Sequence, residues 1–166
     1  MASLDGEERQ ADEGIAAKSY SFFGSFSYAI DSKGRTVIPT IYRDSLGETF
    51  TMAVTRNFSA IALYPDDVFK KLLIEFESMN KRKPYVGQYT DEFYKWSFPN
   101  MTQDGQGRIQ IPARLRQLIL GDEKELEISG ALNHIRIMGS QRAITNDIEF
   151  MEKIDSILEA IGNLDE

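Results

Sequence analysis

The sequence predicts an α+β protein that is rich in β-strand, has an internal pseudo-symmetry and carries its helices at the periphery. Three observations support this prediction. A thirteen-residue stretch occurs twice, short runs of β-branched residues surround each occurrence, and apolar residues recur at helical spacing elsewhere in the chain. Because a constant repeat spacing indicates duplicated structural units, we expect two similar halves within the 166 residues.

The repeat is defined by six identities at one offset. Residues 31–43 are DSKGRTVIPTIYR, and residues 104–116 are DGQGRIQIPARLR. The identical pairs, each 73 positions apart, are Asp31/Asp104, Gly34/Gly107, Arg35/Arg108, Ile38/Ile111, Pro39/Pro112 and Arg43/Arg116. Chance rarely preserves so many matches in so short a stretch. We therefore interpret the pattern as an internal duplication.

Each copy predicts a strand, a tight turn, a second strand and a short helix. The turn-shaping residues are Asp31, Gly34, Asp104 and Gly107. Asp accepts hydrogen bonds from nearby backbone amides, and Gly adopts positive φ without strain. Proline at the end of the second strand suits a helix start. Gly47 and Gly121 then predict where the two short helices end.

The rest of the chain supplies further strands and helices. Strands are predicted at residues 22–30, 50–54, 60–64, 98–102, 125–129 and 134–138. Helices are predicted from Pro65, from Thr90 through Trp96, and from Asn146, where Glu149 completes a capping-box pattern. Within the turn at 56–59, Asn57 is the expected positive-φ residue.

Composition divides the chain into five segments. They are a disordered acidic tail (1–21), a first repeat with its helix (22–80), a linker with a short helix (81–97), a second repeat (98–140), and a C-terminal amphipathic helix with its tail (141–166). The basic run at 81–83 indicates either a phosphate contact or a solvated linker.

Charge is distributed unevenly. The net charge of −7 resolves into −3 for residues 1–21, −5 for 141–166 and +1 between them. A nearly neutral body can present a basic face, but one subunit would bind a polyanion weakly, so affinity would come from repeated contacts. Cysteine is absent, which excludes disulfides and agrees with a reducing cytoplasm. The sequence predicts neither a membrane span nor a secretory signal.

The two copies closely resemble the tandem D-x-x-x-R signatures of the MraZ transcriptional regulators, and residues 23–30 (FGSFSYAI) resemble the family's first strand. The resemblance covers about residues 22–140. It implies a double swapped-hairpin (AbrB-like) barrel. It also implies a cytoplasmic, nucleoid-associated bacterial protein that forms a ring-shaped homo-oligomer. Such a protein would bind spaced, G-rich sites on double-stranded DNA and repress its own division and cell-wall operon.

Four residues are predicted to contact DNA: Lys33, Arg35, Arg108 and Arg114. Arg35 and Arg108 follow the turns, and a guanidinium can bind the guanine edge or a phosphate through two parallel hydrogen bonds. The alternative is that each arginine only braces its own turn by pairing with Asp31 or Asp104. Copy one has Ile41 where copy two has Arg114, a position at which the family often has a basic residue. This difference weakens the prediction that the helix of copy one contacts phosphate.

Other residues leave alternatives open or carry no chemistry. Arg43 and Arg116 are equally compatible with DNA contact and with a structural role. His134 is the single histidine and lies on a predicted strand, and Gly105-x-Gly107 lacks the Lys-Ser/Thr of a phosphate loop. We therefore predict a protein that is not an enzyme, with no catalytic residues, no metal, no cofactor and no small-molecule substrate.

A second class of function remains open. The same fold could serve as an oligomeric protein-interaction module, either a scaffold or an antitoxin-like partner, with weak or no DNA binding. The acidic tails and Ile41 favour it. Single-strand binding through aromatic residues is the least favoured, because their spacing matches core positions.

Overall fold

The computed structural model describes residues 19–162, so residues 1–18 of the predicted acidic tail and residues 163–166 lie outside it. The strands are β1 (Ser25–Ala29), β2 (Arg35–Val37), β3 (Thr49–Val54), β4 (Ile61–Pro65), β5 (Phe98–Thr102), β6 (Arg108–Gln110), β7 (Glu125–Gly130) and β8 (Ile135–Gly139). The helices are α1 (Thr40–Leu46), α2 (Asp66–Ser78), α3 (Val86–Lys95), α4 (Ala113–Ile119) and α5 (Ser140–Ile161).

Six antiparallel strands form one sheet, in the order β1-β7-β8-β4-β3-β5. Under the 73–74 residue offset, β1 corresponds to β5, β3 to β7 and β4 to β8. The first strand of each copy therefore pairs with a strand of the other copy. The α+β class is confirmed, but within residues 19–162 the sheet is open, with β1 and β5 at its edges, and no closed barrel is found. The swapped-hairpin assignment stays a prediction.

The two repeated stretches meet in a separate two-stranded ribbon. Strands β2 and β6 pair antiparallel, with Thr36 opposite Ile109. Two further backbone hydrogen bonds extend the pairing, from Ile38 N to Gly107 O (2.7 Å) and from Ile111 N to Gly34 O (2.9 Å). Each turn thus lies against the end of the other copy's strand.

The core lies between the sheet and the helices. Strands β3 and β4 are buried along nearly their whole length, which agrees with their central position and their apolar sequences. Tyr42 of α1 packs edge-on against Phe22 and Phe26. Phe76 of α2 packs edge-on against Phe93 of α3, at a centroid distance of 4.9 Å. The Tyr42 contacts hold α1 against β1, and the Phe76–Phe93 contact holds α2 against α3.

Most predicted elements are found, and three local predictions are wrong. Gly47 and Gly121 end their helices with positive φ, as predicted. Helix α3 begins before Thr90, and α5 begins at Ser140 rather than at Asn146. Phe58, not Asn57, has positive φ, while the Asn57 side chain accepts hydrogen bonds that hold the turn. No helix in the described part of the chain could cross a membrane.

Candidate nucleic-acid interface

The β2–β6 ribbon has one buried face and one outward face. Side chains alternate along a strand, and directly opposite residues share a face. Thr36 and Ile109 face inward and are each only 2% exposed. The outward face carries Arg35, Val37, Arg108 and Gln110. The two predicted arginines, one from each copy, therefore lie on one side of one ribbon.

The turn of copy one is organised by Asp31. Its Oδ1 accepts hydrogen bonds from the amides of Lys33 and Arg35, each at 2.9 Å, and its Oδ2 accepts one from Arg35 Nε at 2.9 Å. The Arg35 amide has the largest effect and lowers the pKa of Asp31; burial opposes it, and the Arg35 side chain and the Lys33 amide lower the pKa further. Gly34 (φ +80°) closes the turn by donating to the Asp31 carbonyl.

The turn of copy two repeats this geometry. Asp104 Oδ1 accepts from the amides of Gln106 (2.9 Å) and Arg108 (3.0 Å), and Oδ2 accepts from Arg108 Nε (2.7 Å). The Arg108 amide and side chain lower the pKa of Asp104 to about 2. Gly107 (φ +75°) donates to the Asp104 carbonyl. The repeated sequence thus produces the same hydrogen-bonded turn twice.

The bracing of each arginine by its aspartate is present, but it uses only part of the guanidinium. Nε of Arg35 and Nε of Arg108 donate to the carboxylates. Within residues 19–162, the terminal Nη nitrogens of both side chains make no hydrogen bond, and the side chains are 42% and 49% exposed. Bracing therefore orients each guanidinium and leaves donors accessible.

The two arginines are close to one another. Arg35 lies opposite Gln110, and Arg108 lies opposite Val37, so the arginines are diagonal neighbours. Diagonal positions of an antiparallel pair have Cα atoms about 7–8 Å apart. This spacing brings two cationic forks from different parts of the chain within reach of adjacent groups on one ligand.

The other two predicted DNA contacts lie at different distances from this face. Lys33 is exposed at the tip of the first turn, and its carbonyl accepts a hydrogen bond from Gln110 Nε2 at 2.6 Å. Arg114 is exposed in α4, with its guanidinium carbon 5.2 Å from the centre of the Trp96 ring. Lys33 thus belongs to the ribbon surface, whereas Arg114 belongs to a neighbouring one.

Arg43 and Arg116 have reciprocal packing roles. Arg43 Nε donates to Ile38 O (2.9 Å), and Arg116 Nε donates to Ile111 O (3.2 Å). The Arg43 side chain lies directly on Gly107, where a Cβ would come within 2.2 Å of Nε. The Arg116 side chain covers Gly34 in the same way, with a Cβ reaching 2.5 Å from Cζ. Each arginine therefore braces the other copy's turn.

Comparison with known proteins adds the evolutionary context. The MraZ family profile, described as "MraZ protein, putative antitoxin-like", matches residues 21–86. The chain is 31% identical to Transcriptional regulator MraZ of Halothermothrix orenii, covering 85% of this chain and 99% of the relative. It is 32% identical to the protein of that name from Symbiobacterium thermophilum, covering 84% and 99%. The chain belongs to the MraZ family. The Lachnoclostridium phytofermentans relative is 28% identical over 85% of this chain.

These MraZ relatives align over both copies of the repeat, whereas the family profile matches the first copy. The ribbon joins one strand from each copy, so its outward face requires both.

Sequence reasoning missed three residues of this surface region. Val37 and Gln110 are on the outward face, and the alternation around buried Thr36 and Ile109 was the signal for them. Trp96 is the third: it is half-buried and packs against the core, and it also contacts the Arg114 guanidinium. Its contact with α4 joins segments that are distant in sequence, so local periodicity did not reveal it.

His134 lies in a cleft between α2 and the sheet, away from the ribbon. Its ring is 5.2 Å from that of Tyr64, and burial, with Arg136 and Arg56 adding smaller effects, lowers its pKa to about 4. It is therefore neutral at pH 7. Within residues 19–162, no group of three or more His, Cys, Asp or Glu side chains could hold a metal ion.

Proposed function

We propose that this protein is a sequence-specific, double-stranded DNA-binding regulator of transcription. The observation that carries the proposal is the outward face of the β2–β6 ribbon, with Arg35 and Arg108 oriented by Asp31 and Asp104. A two-stranded ribbon is one of the few protein elements that fit the major groove, which is about 12 Å wide. The surface combines that shape with two guanidinium forks.

The chemistry of arginine and the resemblance to the MraZ family together support a more detailed proposal for the DNA site, the oligomer and the regulated operon. Arginine recognises the N7 and O6 acceptors of guanine, which agrees with G-rich sites. We infer a ring-shaped homo-oligomer of AbrB-like swapped-hairpin subunits, acting in the cytoplasm at the nucleoid and repressing its own division and cell-wall operon. Sites spaced by about 10 bp would place neighbouring subunits on one side of the duplex. Repeated engagement would offset the modest charge of one subunit.

The test is binding to the DNA upstream of the protein's own coding region, measured by fluorescence anisotropy at several salt concentrations. We expect Arg35→Ala and Arg108→Ala each to weaken binding by about 1–3 kcal/mol and to relax preference at one base position. Arg142→Ala is the matched control, because Arg142 is an exposed arginine on α5. Salt-independent binding, or equal losses in all three variants, would contradict the proposal.

A protein-interaction module is the second candidate. Two observations favour it: the antitoxin-like description of the profile over residues 21–86, and the exposed apolar side chains of Phe23 (60%) and Ile41 (67%) in copy one. On this hypothesis the ribbon arginines bind no DNA, and Arg35→Ala leaves partner binding unchanged. The anisotropy titration separates the two candidates, since only the first requires salt-dependent affinity.

A further inference from the structure

Two cations lie against one indole at the junction of α3 and α4. Arg114 Cζ is 5.2 Å and Lys95 Nζ is 5.6 Å from the centre of the Trp96 ring. Both cations are exposed, and Trp96 is half-buried. Contacts of this length between a cation and an aromatic face are attractive and hold the cation in place. We call Lys95, Trp96 and Arg114 the indole cluster.

The cluster is built on a rigid support. Trp96 ends α3, and its amide donates to the carbonyls of Glu92 and Phe93. Trp96 Nε1 donates to Glu92 Oε2 at 3.4 Å, and that carboxylate is 3.7 Å from Lys95 Nζ. Glu92 therefore orients the ring and offsets the charge of Lys95, whereas Arg114 makes no ion pair with any residue between 19 and 162.

Copy one lacks this arrangement at the equivalent positions. With the 73-residue offset, Lys95 corresponds to Phe22, Trp96 to Phe23 and Arg114 to Ile41. Phe22 is buried in the core, while Phe23 and Ile41 are 60% and 67% exposed. The duplication thus retains an aromatic residue in both halves but places cations around it only in copy two. The two halves therefore present different chemistry at positions that are equivalent in sequence.

The indole cluster is within reach of a duplex bound at the ribbon. Arg114 follows Arg108 by six residues, so their Cα atoms can be at most about 20 Å apart. Phosphates follow each other every 3.4 Å of helix axis along one strand. Arg108 and Arg114 are therefore at most about six phosphate steps apart along one strand, so a single bound duplex can span both residues. A guanidinium held by an indole loses less side-chain freedom on meeting a phosphate than a free one does.

We propose that the indole cluster is a phosphate-contacting site of copy two, in which Trp96 positions Arg114 and Lys95 against the DNA backbone. The inference rests on the proposed DNA binding and deepens it. Copy one, with Phe23 and Ile41, makes no such contact, so the two halves contribute different numbers of phosphate contacts to the duplex. The cluster contributes affinity and orientation and carries no base specificity, since it meets only the backbone.

Trp96 is the single tryptophan of the chain, so its fluorescence reports directly on this site. The experiment titrates the upstream DNA into the full chain, recording tryptophan emission and anisotropy of labelled DNA from 50 to 200 mM salt. The variants are Arg114→Gln, Lys95→Gln, Trp96→Phe and Trp96→Leu, each checked for folding by circular dichroism and thermal unfolding. Arg142→Gln on α5 is the control for loss of one positive charge.

We expect DNA to change Trp96 emission and Arg114→Gln to reduce the salt slope by about 0.9, the value for one phosphate contact. Over this fourfold salt range, binding of the unmodified chain should then weaken about 3.5-fold more than binding of Arg114→Gln. Trp96→Leu should lose affinity although both cations remain, and Trp96→Phe should retain most of it. If Trp96 positions Arg114, Trp96→Leu should also reduce the salt slope. If Trp96 has only a structural role, Trp96→Leu should leave the salt slope unchanged.

The failures are distinguishable. DNA binding that depends on Arg35 but leaves Trp96 emission, Arg114→Gln and Lys95→Gln unchanged would overturn this inference alone. An equal change of slope in Arg142→Gln would do so too, because the effect would then be general charge. A chain that binds no DNA would overturn this inference and the proposed function together.

Discussion

Arg43 and Arg116 illustrate how single residues join the two copies. Each donates from Nε to a carbonyl of its own copy and lies on the glycine of the other copy's turn. The glycine is required for two reasons at once: its φ is positive, and a Cβ would occupy the space of the guanidinium. The repeated D-x-x-G-R…R pattern therefore records a mutual contact, and the second arginine of the pattern is structural.

Gly107→Ala should lower the free energy of unfolding by about 2–3 kcal/mol. The left-handed backbone conformation costs an alanine about 1–2 kcal/mol. Displacement of Arg43 from Ile38 O adds about 1 kcal/mol for the lost hydrogen bond. Urea unfolding at pH 7 measures the change.

Gly105→Ala is the matched control within the same turn, since a Cβ there meets nothing within 4 Å. It should stay within about 0.5 kcal/mol of the unmodified chain. Similar losses in both variants would contradict the packing role of Arg43.

His134 should make stability depend on pH between about 6.5 and 4. Burial lowers its pKa to about 4 in the folded chain, whereas an unfolded histidine titrates near 6.5. The unfolded state therefore binds the proton first, so the stabilisation is complete above about pH 6.5 and declines as the pH falls toward 4. Urea unfolding at pH 7, 6 and 5 should show this decline.

His134→Asn removes the titrating group and should flatten the decline, even if it shifts stability uniformly by removing the contact with Tyr64. Asp104 does not interfere, because its pKa of about 2 places its own loss of stabilisation below about pH 4. Parallel pH profiles for the two proteins would assign the decline to other groups.

At the scale of elements, local sequence patterns correctly predicted the features that depend only on residues close together in the chain. The turns after Asp31 and Asp104, the glycine helix ends and the strand at 98–102 required only local chemistry. Helix α5 begins six residues before Asn146 because the backbone continues directly from β8, and the Glu123 carboxylate accepts a hydrogen bond from the Gln141 amide. That partner lies 18 residues away, so the capping-box pattern was misleading.

Pairing between elements was less accessible to sequence reasoning. The repeat predicted two similar halves, but not that β2 would pair with β6 or that β1 would pair with β7. An antiparallel partner is selected by long-range packing, and the three-residue strands carry too little pattern to specify it. The DNA-contact prediction therefore rested on the individual arginines and did not include the shared ribbon face that brings them together.

The difference between α1 and α4 yields a gain-of-contact prediction. Ile41→Arg places a cation in copy one at the sequence position that Arg114 occupies in copy two. We expect tighter DNA binding and a salt slope steeper by about 0.9. Because Ile41 is 67% exposed, stability should change by less than about 0.5 kcal/mol. Anisotropy titrations at three salt concentrations measure both affinity and slope.

Ile74→Arg is the control, since Ile74 is 70% exposed on α2 and the substitution adds the same charge. An equal gain in this variant would show that any added charge attracts DNA.

At the scale of the whole molecule, α5 is the element that the body leaves most exposed. Its 22 residues extend about 33 Å, and Ala143 is its one fully buried residue. The exposed apolar residues are Ile144, Ile148, Phe150, Met151, Leu158 and Ile161. A group of six large, exposed apolar side chains on one helix is typical of a surface that binds another protein chain. It is therefore where we expect subunits of the proposed ring to meet.

Met151→Glu should reduce the mass measured by light scattering and weaken binding to DNA with several sites much more than binding to DNA with one. A buried carboxylate opposes association, and loss of association removes the benefit of repeated contacts. Ser156→Glu adds the same charge about 140° around the helix and should leave the mass unchanged. If Met151→Glu retained the full mass, α5 would lie outside the subunit contact. If the mass fell while multi-site affinity stayed constant, one subunit would bind DNA without help from its neighbours, contrary to the weak charge of its body.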